Sequence, residues 1–402
     1  MMATILQERR LLWIEQPEAL WALHAEWQAL ADRTDAEVYL RPAWISTWWD
    51  HFGTGRTLAC LTIREEGRLI GLLPFYIERI WAGPVPVRVA RLAGADPHCI
   101  ICRLPLETGV VAMALGEALR HLVDTQGCHA ISFTPVSERA AHLSVLREIG
   151  RTEPGLMLHE AEEGSHVIFD LSEEFPEWFA QLSKKRRSQF QRDLRALQSR
   201  YRMQEVEIVP DGAAFTEFAA LHSQQWQAVG RGGHFSDWPG SEAFYHDLAD
   251  RIATDPPMRL YTLIGTTGPL AMQFALIGGS AAQWRLPARC LDPEAERLSI
   301  GKVGLLRMIE ALIGQGVTRI EAGRGDYDYK LSYGGKSVAV WQILLFRNTR
   351  RNRLRLRWLL AWSDLLHLFY YRIWFLKFAP KLRKRFGLPA RPLWRSWIRT
   401  RL

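Results

Sequence analysis

The chain repeats one plan. Residues 58–77 read as a strand, a turn at Glu66-Gly67 and a second strand. Residues 259–277 read the same way around Thr267-Gly268. Each hairpin is followed by apolar residues at helical spacing, a Gln-Gly pair and another strand. In the first copy, Leu115–Ser132, the pair is Gln126-Gly127 and the strand centres on Ile131; in the second, Leu305–Ala322, it is Gln315-Gly316 and the strand centres on Ile320. Aligning the pairs sets Ile131 opposite Ile320 at the same spacing. A hairpin, a helix and a returning strand, twice, imply two mixed α/β domains. We place them at 1–160 and 161–346, with a basic helical tail over 347–402.

The 402 residues suffice for two cores. The net charge of +8 hides an asymmetry: Arg347 to Leu402 holds 16 Lys/Arg and one acid, Asp364. The tail is therefore at +15 and the remainder, with 35 basic and 42 acidic residues, at −7. Cys60, Cys99, Cys102, Cys128 and Cys290 are odd in number and scattered, which suits a reducing compartment. Cys99 and Cys102 invite a metal, but zinc needs four ligands and no second pair has suitable spacing, so no metal is expected. The opening Met-Met-Ala-Thr-Ile-Leu-Gln-Glu-Arg-Arg shows no secretion signal. The longest apolar stretch, Trp358 to Phe378, is broken by Asp364, His367, Arg372 and Lys377. The expected location is cytoplasmic, with peripheral contact to the inner face of the cell membrane.

Between the halves, Arg151-Thr-Glu-Pro-Gly and Glu162-Glu-Gly-Ser have the composition of a linker or loop. Ser172-Glu-Glu opens a helix containing Trp178 and Phe179. A basic helix from Ser183-Lys-Lys-Arg-Arg carries Phe190, Leu194 and Leu197 on one face. Helices over 215–229 and 241–253 flank the loop Gly230-Arg-Gly-Gly-His-Phe-Ser.

Residues 299–336 are densest in chemistry. Ser299-Ile-Gly-Lys-Val-Gly starts an apolar helix, and a helix N-terminus with freed amides is an anion site. After the strand near Ala322 comes the polar loop Arg324-Gly-Asp-Tyr-Asp-Tyr-Lys, placed where α/β scaffolds carry chemistry. The two together suggest a phosphate-bearing donor at the helix start and an acceptor near the loop.

Several segments resemble the CelD/BcsL-type acetyltransferases of the GNAT superfamily. They are Arg41-Pro-Ala-Trp-Ile-Ser-Thr-Trp-Trp-Asp-His-Phe-Gly, Gly67-Arg-Leu-Ile-Gly-Leu-Leu-Pro-Phe-Tyr, the Lys185-Arg-Arg helix, the Ser299-Ile-Gly-Lys start and Gly325-Asp-Tyr-Asp-Tyr-Lys. Those proteins are related to the FemAB aminoacyl transferases. The resemblance spans roughly residues 35–348. It implies tandem GNAT-like domains and acyl transfer from acyl-CoA, acetyl-CoA above all, to an amine or hydroxyl on a sugar- or lipid-linked acceptor, in cellulose or exopolysaccharide production. One motif departs: GNAT pyrophosphate loops read Gln/Arg-x-x-Gly-x-Gly/Ala, whereas Arg297-Leu-Ser-Ile-Gly-Lys-Val-Gly has an extra residue before its first glycine and a longer gap to its second.

On this reading Ser299, Ile300, Gly301, Lys302, Val303 and Gly304 bind the donor. Asp326 or Asp328 acts as base or orients the acceptor, Tyr329 protonates the leaving thiolate and Lys330 steadies charge. The family pattern Gly-Asp-x-x-Tyr-Lys maps onto Gly325, Asp326, Tyr329 and Lys330. His234, Trp284 and Arg324 are candidates for the acceptor, with Trp284 also readable as core. The N-terminal half lacks a comparable charged loop and is expected to be a degenerate partner.

The tail alternates Arg with Leu and Asn over 347–357, then turns aromatic, with Lys381–Arg385, Trp394 and Trp397 beyond. It suits an interfacial helix on anionic lipid or a helix packed on the body. Two rival functions stay open: a FemAB-like transferase using charged tRNA, which the basic helix would suit, and a non-catalytic membrane-attached accessory of polysaccharide assembly. Nucleic acid is otherwise not an expected partner.

Overall fold

The computed structural model describes residues 9–94, 99–230, 233–238, 240–251, 258–378 and 381–382. The first eight residues, Arg231-Gly232, Ile252-Ala253, Arg383–Arg385, Trp394 and Trp397 lie outside the described residues. The chain divides into two compact units: residues 1–164 with 339–402, and residues 165–338.

The first unit opens with β1 (Arg9–Ile14), α1 (Pro17–Trp21), α2 (His24–Arg33) and α3 (Pro42–Phe52). Pro17 and Pro42 stand in the first turns of their helices, where no amide is needed. Then come β2 (Thr57–Glu65), β3 (Arg68–Ala82) and β4 (Val85–Leu92) as an antiparallel meander. The β2–β3 turn needs left-handed backbone at two successive residues, met by Glu66 at φ +51° and Gly67 at φ +82°. Next are α4 (Val111–Arg120), β5 (Ala130–Ser132), β6 (Val136–Ser137), α5 (Ala141–Thr152) and β7 (Leu156–Asp170). Residues 162–165, read from composition as a loop, instead continue β7. Glu162, Glu163 and Ser165 are compatible with extended backbone, and Gly164 at φ +110° absorbs the irregularity.

The second unit contains α6 (Phe175–Ala180), α7 (Lys184–Tyr201), β8 (Gln204–Ile208), α8 (Gly212–Ala228), α9 (His234–Asp237) and α10 (Ser241–Arg251). These are followed by β9 (Met258–Gly265), β10 (Gly268–Gly278), β11 (Ala281–Arg289), α11 (Pro293–Arg297), α12 (Ile300–Gly314), β12 (Arg319–Arg324) and α13 (Asp328–Leu331). Side-chain caps start two of the helices: Ser183 Oγ accepts from Arg186 N where the sequence places the basic helix, and Asp211 Oδ1 accepts from Ala214 N at 2.8 Å, so that α8 begins three residues before the expected Phe215. β13 (Lys336–Arg347) returns the chain to the first unit, where α14 (Arg350–Leu366) follows.

Both units are mixed sheets of one topology. In the first, strand order is β1-β2-β3-β4-β5-β13; in the second, β8-β9-β10-β11-β12-β7. An antiparallel meander leads through a helix to a strand that pairs parallel over three residues. Val89, Ala90 and Arg91 oppose Ala130, Ile131 and Ser132; Ala281, Ala282 and Gln283 oppose Arg319, Ile320 and Glu321. Ala130–Ser132 and Arg319–Glu321 are offset by the same interval as the two Gln-Gly pairs. Gly127 at φ +62° and Gly316 at φ +78° end the preceding helical segments in left-handed backbone. The fold is thus α/β, in two mixed-sheet units of one topology, as the repeated sequence plan implies.

In the first unit, Leu115, Leu119, Leu143 and Leu146 of α4 and α5 pack on Leu61, Leu73, Phe75 and Ile131. α14 packs through Leu356 and Leu359 on Ile80, Val87, Val89 and Phe346, so this part of the tail is a covering helix. In the second unit, α6, α7 and α12 cover one sheet face through Trp178, Phe190, Leu197, Val303 and Leu306. The other face holds an aromatic cluster of Phe215, Phe218, Tyr245 and Phe274 from α8, α10 and β10.

Candidate active site

The second unit opens where β11 and β12 part. Their parallel pairing stops at Gln283 and Glu321. Beyond it, β11 continues to Arg289 against β10, and β12 to Arg324 against β7. The register of β12 on β7 slips between Glu321 and Arg324, where Gly323 takes φ +70°. Backbone carbonyls of β12 are thereby released from the ladder. Lys330, from α13, takes two of them: Nζ donates to Ala322 O at 2.6 Å and to Arg324 O at 3.3 Å.

Lys330 is only 4% exposed. Its Nζ lies 5.2 Å from the Tyr327 ring and 5.9 Å from the Trp284 ring. Burial lowers its ammonium to about 8, opposed by the Asp326 carboxylate. Tyr329 stacks on Tyr327 at 5.9 Å and meets Trp284 edge-on at 6.2 Å. Burial, aided by Tyr327, raises its phenol to about 12, so it holds its proton throughout the neutral range. Asp326 is exposed and accepts from Ser337 Oγ at 2.8 Å. Asp328 is exposed at the first position of α13. The notch thus holds Tyr329, Lys330 and Trp284, with both aspartates facing solvent.

At the donor end, the side chains of Ile300 and Val303 are in the core. Ser299 takes left-handed backbone at φ +53°, and its carbonyl accepts from Lys302 N at 2.8 Å and Val303 N at 3.0 Å. The amides of Ile300 and Gly301 precede the first intrahelical bonds. A Cβ on Gly301 would meet only Arg289 Cδ, at 3.6 Å. Lys302 is half-buried. Gly304 faces the sheet: a Cβ there would lie 2.8 Å from Gln273 Nε2. Gly301 therefore leaves space at the helix start, while Gly304 lets α12 approach β10.

The acceptor candidates divide between the two faces of the sheet. Trp284 points toward α12, and its Nε1 donates to Gln273 Oε1 at 3.0 Å. Its neighbour Arg285 points to the opposite face and donates through a terminal nitrogen to the Tyr245 hydroxyl at 2.8 Å. His234 sits on that opposite face among Phe235, Trp238 and Tyr245, with ring centroids 5.7 to 6.4 Å away. Arg324 ends β12 opposite His166.

Sequence reading missed three features. Gln273 is fully buried, and its Nε2 has no hydrogen-bond partner among the described residues. Arg289 stands beside Gly301 and bonds Glu296 at 2.7 Å, adding a cation at the helix start. Glu321, buried in β12, lies 3.1 Å from His166 Nδ1 and 2.9 Å from Arg319 Nε. Gln273 breaks an otherwise apolar strand, a signal that was available in the sequence, whereas Glu321 stands in a short strand with arginines at both ends and does not stand out.

Residues 184–331 match the family model of the acetyltransferase (GNAT) domain. No curated protein matches the sequence. The chain is similar to the solved structure of FemX, at 10% identity and TM-score 0.59, over 83% of this chain and 96% of that one. It is similar to a conserved protein of unknown function from Bacteroides thetaiotaomicron, at 11% identity and TM-score 0.50, over 84% and 100%. It is also similar to L-PGS from Bacillus licheniformis, at 11% identity and TM-score 0.50, over 87% and 96%. At such identities the likeness is one of fold. The matched span contains the β11–β12 notch and the start of α12, and a GNAT domain implies acyl-CoA as co-substrate. The residues fit that group: two leading amides, an open Gly301, Lys302 and Arg289 suit a pyrophosphate, and Gln273 Nε2 is an uncommitted buried donor beside α12.

Proposed function

We propose that this chain is an acyltransferase that moves an acyl group, acetyl in the simplest case, from acyl-CoA to an amine or hydroxyl. The observation that carries this is the parting of β11 from β12 beside the start of α12, with Lys330 and Tyr329 in the gap. The α12 amides, Lys302 and Arg289 hold the pyrophosphate. The thioester supplies the activated acyl group. Tyr329, protonated at neutral pH, donates its proton to the departing sulfur. The buried Lys330 ammonium offsets negative charge developing at the carbonyl. Asp326 and Asp328, at the rim, orient the acceptor and collect its proton. Arg324, where β12 ends, contributes to acceptor binding, whereas His234, on the opposite sheet face from Tyr329 and Trp284, is left out of it. The acceptor is sugar- or lipid-linked, as in exopolysaccharide assembly.

The test is calorimetric titration of the full chain with acetyl-CoA, beside Gly301→Asp. That substitution has room and places a carboxylate in the first turn of a helix, where it favours folding. Expected is micromolar binding by the parent and at least tenfold weaker binding by an equally stable variant. No binding of acetyl-CoA or longer acyl-CoAs would overturn the proposal.

The exposed face of α7 favours a second reading, transfer from charged tRNA. Lys184, Lys185, Arg192 and Arg195 are exposed along it while Phe190 and Leu197 are buried. That reading requires tRNA binding that weakens steeply with salt, and weakens further in Lys185→Gln/Arg192→Gln.

A further inference from the structure

α14 carries two apolar faces, and the fold uses one. Asn352, Leu356, Leu359 and Ser363 recur at intervals of four, three and four, and all are buried on the first unit. Leu354, Trp358, Ala361 and Leu365 recur at the same intervals, two residues out of phase. Two steps along a helix turn it through rather more than half a circle, so this second stripe lies opposite the packed one. It faces solvent: Leu354 is 67% exposed, and Trp358 and Leu365 are 45% exposed each. The following helical segment, His367–Phe378, continues it with exposed Leu368, Phe369, Trp374 and Phe378.

Charge runs beside the stripe. Arg350 stands one turn before Leu354, Arg357 one turn before Ala361, and Arg353 one turn before Arg357; all three are exposed. Arg372 and Lys377 extend the series, and Asp364 is the one acid between Arg347 and Phe378. Trp358 is held in place by a bond from Nε1 to Ala82 O at 2.7 Å, so its indole is fixed at the boundary between protein and solvent. An exposed apolar row with indoles along it and arginines on its flank matches a bilayer's acyl boundary, its interface and its anionic headgroups in turn. No described helix is long and apolar enough to cross a membrane, so the contact is with the surface.

We propose that the outer face of α14 and its continuation to Phe378 is a docking surface for an anionic lipid bilayer. The helix lies in the interfacial plane, with Leu354, Leu365 and Leu368 entering the headgroup boundary, Trp358 held at its edge by Ala82 O, and Arg350, Arg353 and Arg357 on lipid phosphates. This inference is independent of the chemistry at the β11–β12 notch.

The test is flotation of the full chain with vesicles of phosphatidylcholine, either alone or mixed with phosphatidylglycerol as the minor component, and needs no acyl donor. Expected is flotation with the anionic vesicles only, reversed by about 0.5 M salt. Arg353→Gln/Arg357→Gln is expected to lower partitioning on the order of 25-fold, about fivefold for each cation. Leu354→Gln/Leu365→Gln/Leu368→Gln, all at exposed positions, is expected to lower it more than tenfold with an unchanged melting temperature. Absence of flotation by the parent chain overturns the proposal, and so does flotation of both variants at the parent level. A parent dimer that the triple variant converts to monomer, without parent flotation, assigns the stripe to a second copy instead.

Discussion

Gly304 of α12 lies against Gln273 of β10 so closely that a Cβ at 304 would come within 2.8 Å of the Gln273 amide nitrogen. The contact fixes how near α12 can approach the sheet, and with it where the helix start sits relative to the notch. Gln273 is not free to retreat, because its oxygen accepts from Trp284 Nε1. Gly304→Ala is expected to displace Gln273 and destabilise the chain by about 1–3 kcal/mol, despite alanine's better helix propensity. Urea unfolding measures this. Stability equal to or above the parent would show that the amide can move aside at no cost.

Lys330 gives the second unit a pH signature. Its ammonium titrates near 8 in the folded chain and near 10.5 when exposed, because burial disfavours the charge. Between those values the unfolded chain binds more protons, so this group makes stability rise with pH there. At pH 7 both states are charged and the burial cost, roughly 3 kcal/mol, is present in full. The parent is expected to gain stability relative to Lys330→Met from pH 8 to pH 10. Chemical denaturation at pH 7, 8.5 and 10 measures it, and a flat difference would mean that the ammonium is better solvated than its surroundings indicate.

Much of this arrangement was legible in the sequence, for identifiable reasons. The Gln126-Gly127 and Gln315-Gly316 pairs located both helix ends because left-handed backbone favours glycine. The loop around Lys330 was legible because its charges follow an apolar strand. The parting of β11 and β12 was not, since it depends on which strand each keeps as a partner, a tertiary fact. The same blindness turned residues 162–165 into a loop, because composition cannot see a strand that crosses from one unit to the other. Gly304 and Gly301 looked alike for a similar reason. What separates them is the neighbour that a Cβ would meet, and sequence spacing does not reveal it.

Tyr329→Phe separates binding from chemistry. The phenol is raised to about 12 by burial and by Tyr327, so the proton is retained at neutral pH and lost only in strong base. The ring contacts with Trp284 and Tyr327 survive the substitution, so stability and acetyl-CoA affinity are expected to change little. Turnover of any acceptor found is expected to fall about 100-fold, within the usual range for loss of a general acid. Equal turnover would remove Tyr329 from the chemistry and leave it a packing residue.

Glu321 is a buried charge in the second unit whose loss is expected to be costly. Its carboxylate is buried between Arg319 and His166, 2.9 Å from one and 3.1 Å from the other. Removing it leaves a guanidinium and an imidazole in an interior arranged around its charge. Glu321→Leu is expected to cost about 3–5 kcal/mol, as for other buried pairs deprived of one partner. Glu321→Gln keeps the shape and one acceptor oxygen and should cost less. Equilibrium unfolding of both variants orders them. If leucine proved no worse than glutamine, the buried charge would be dispensable and β12 would be held by its apolar neighbours Ile320 and Ala322 alone.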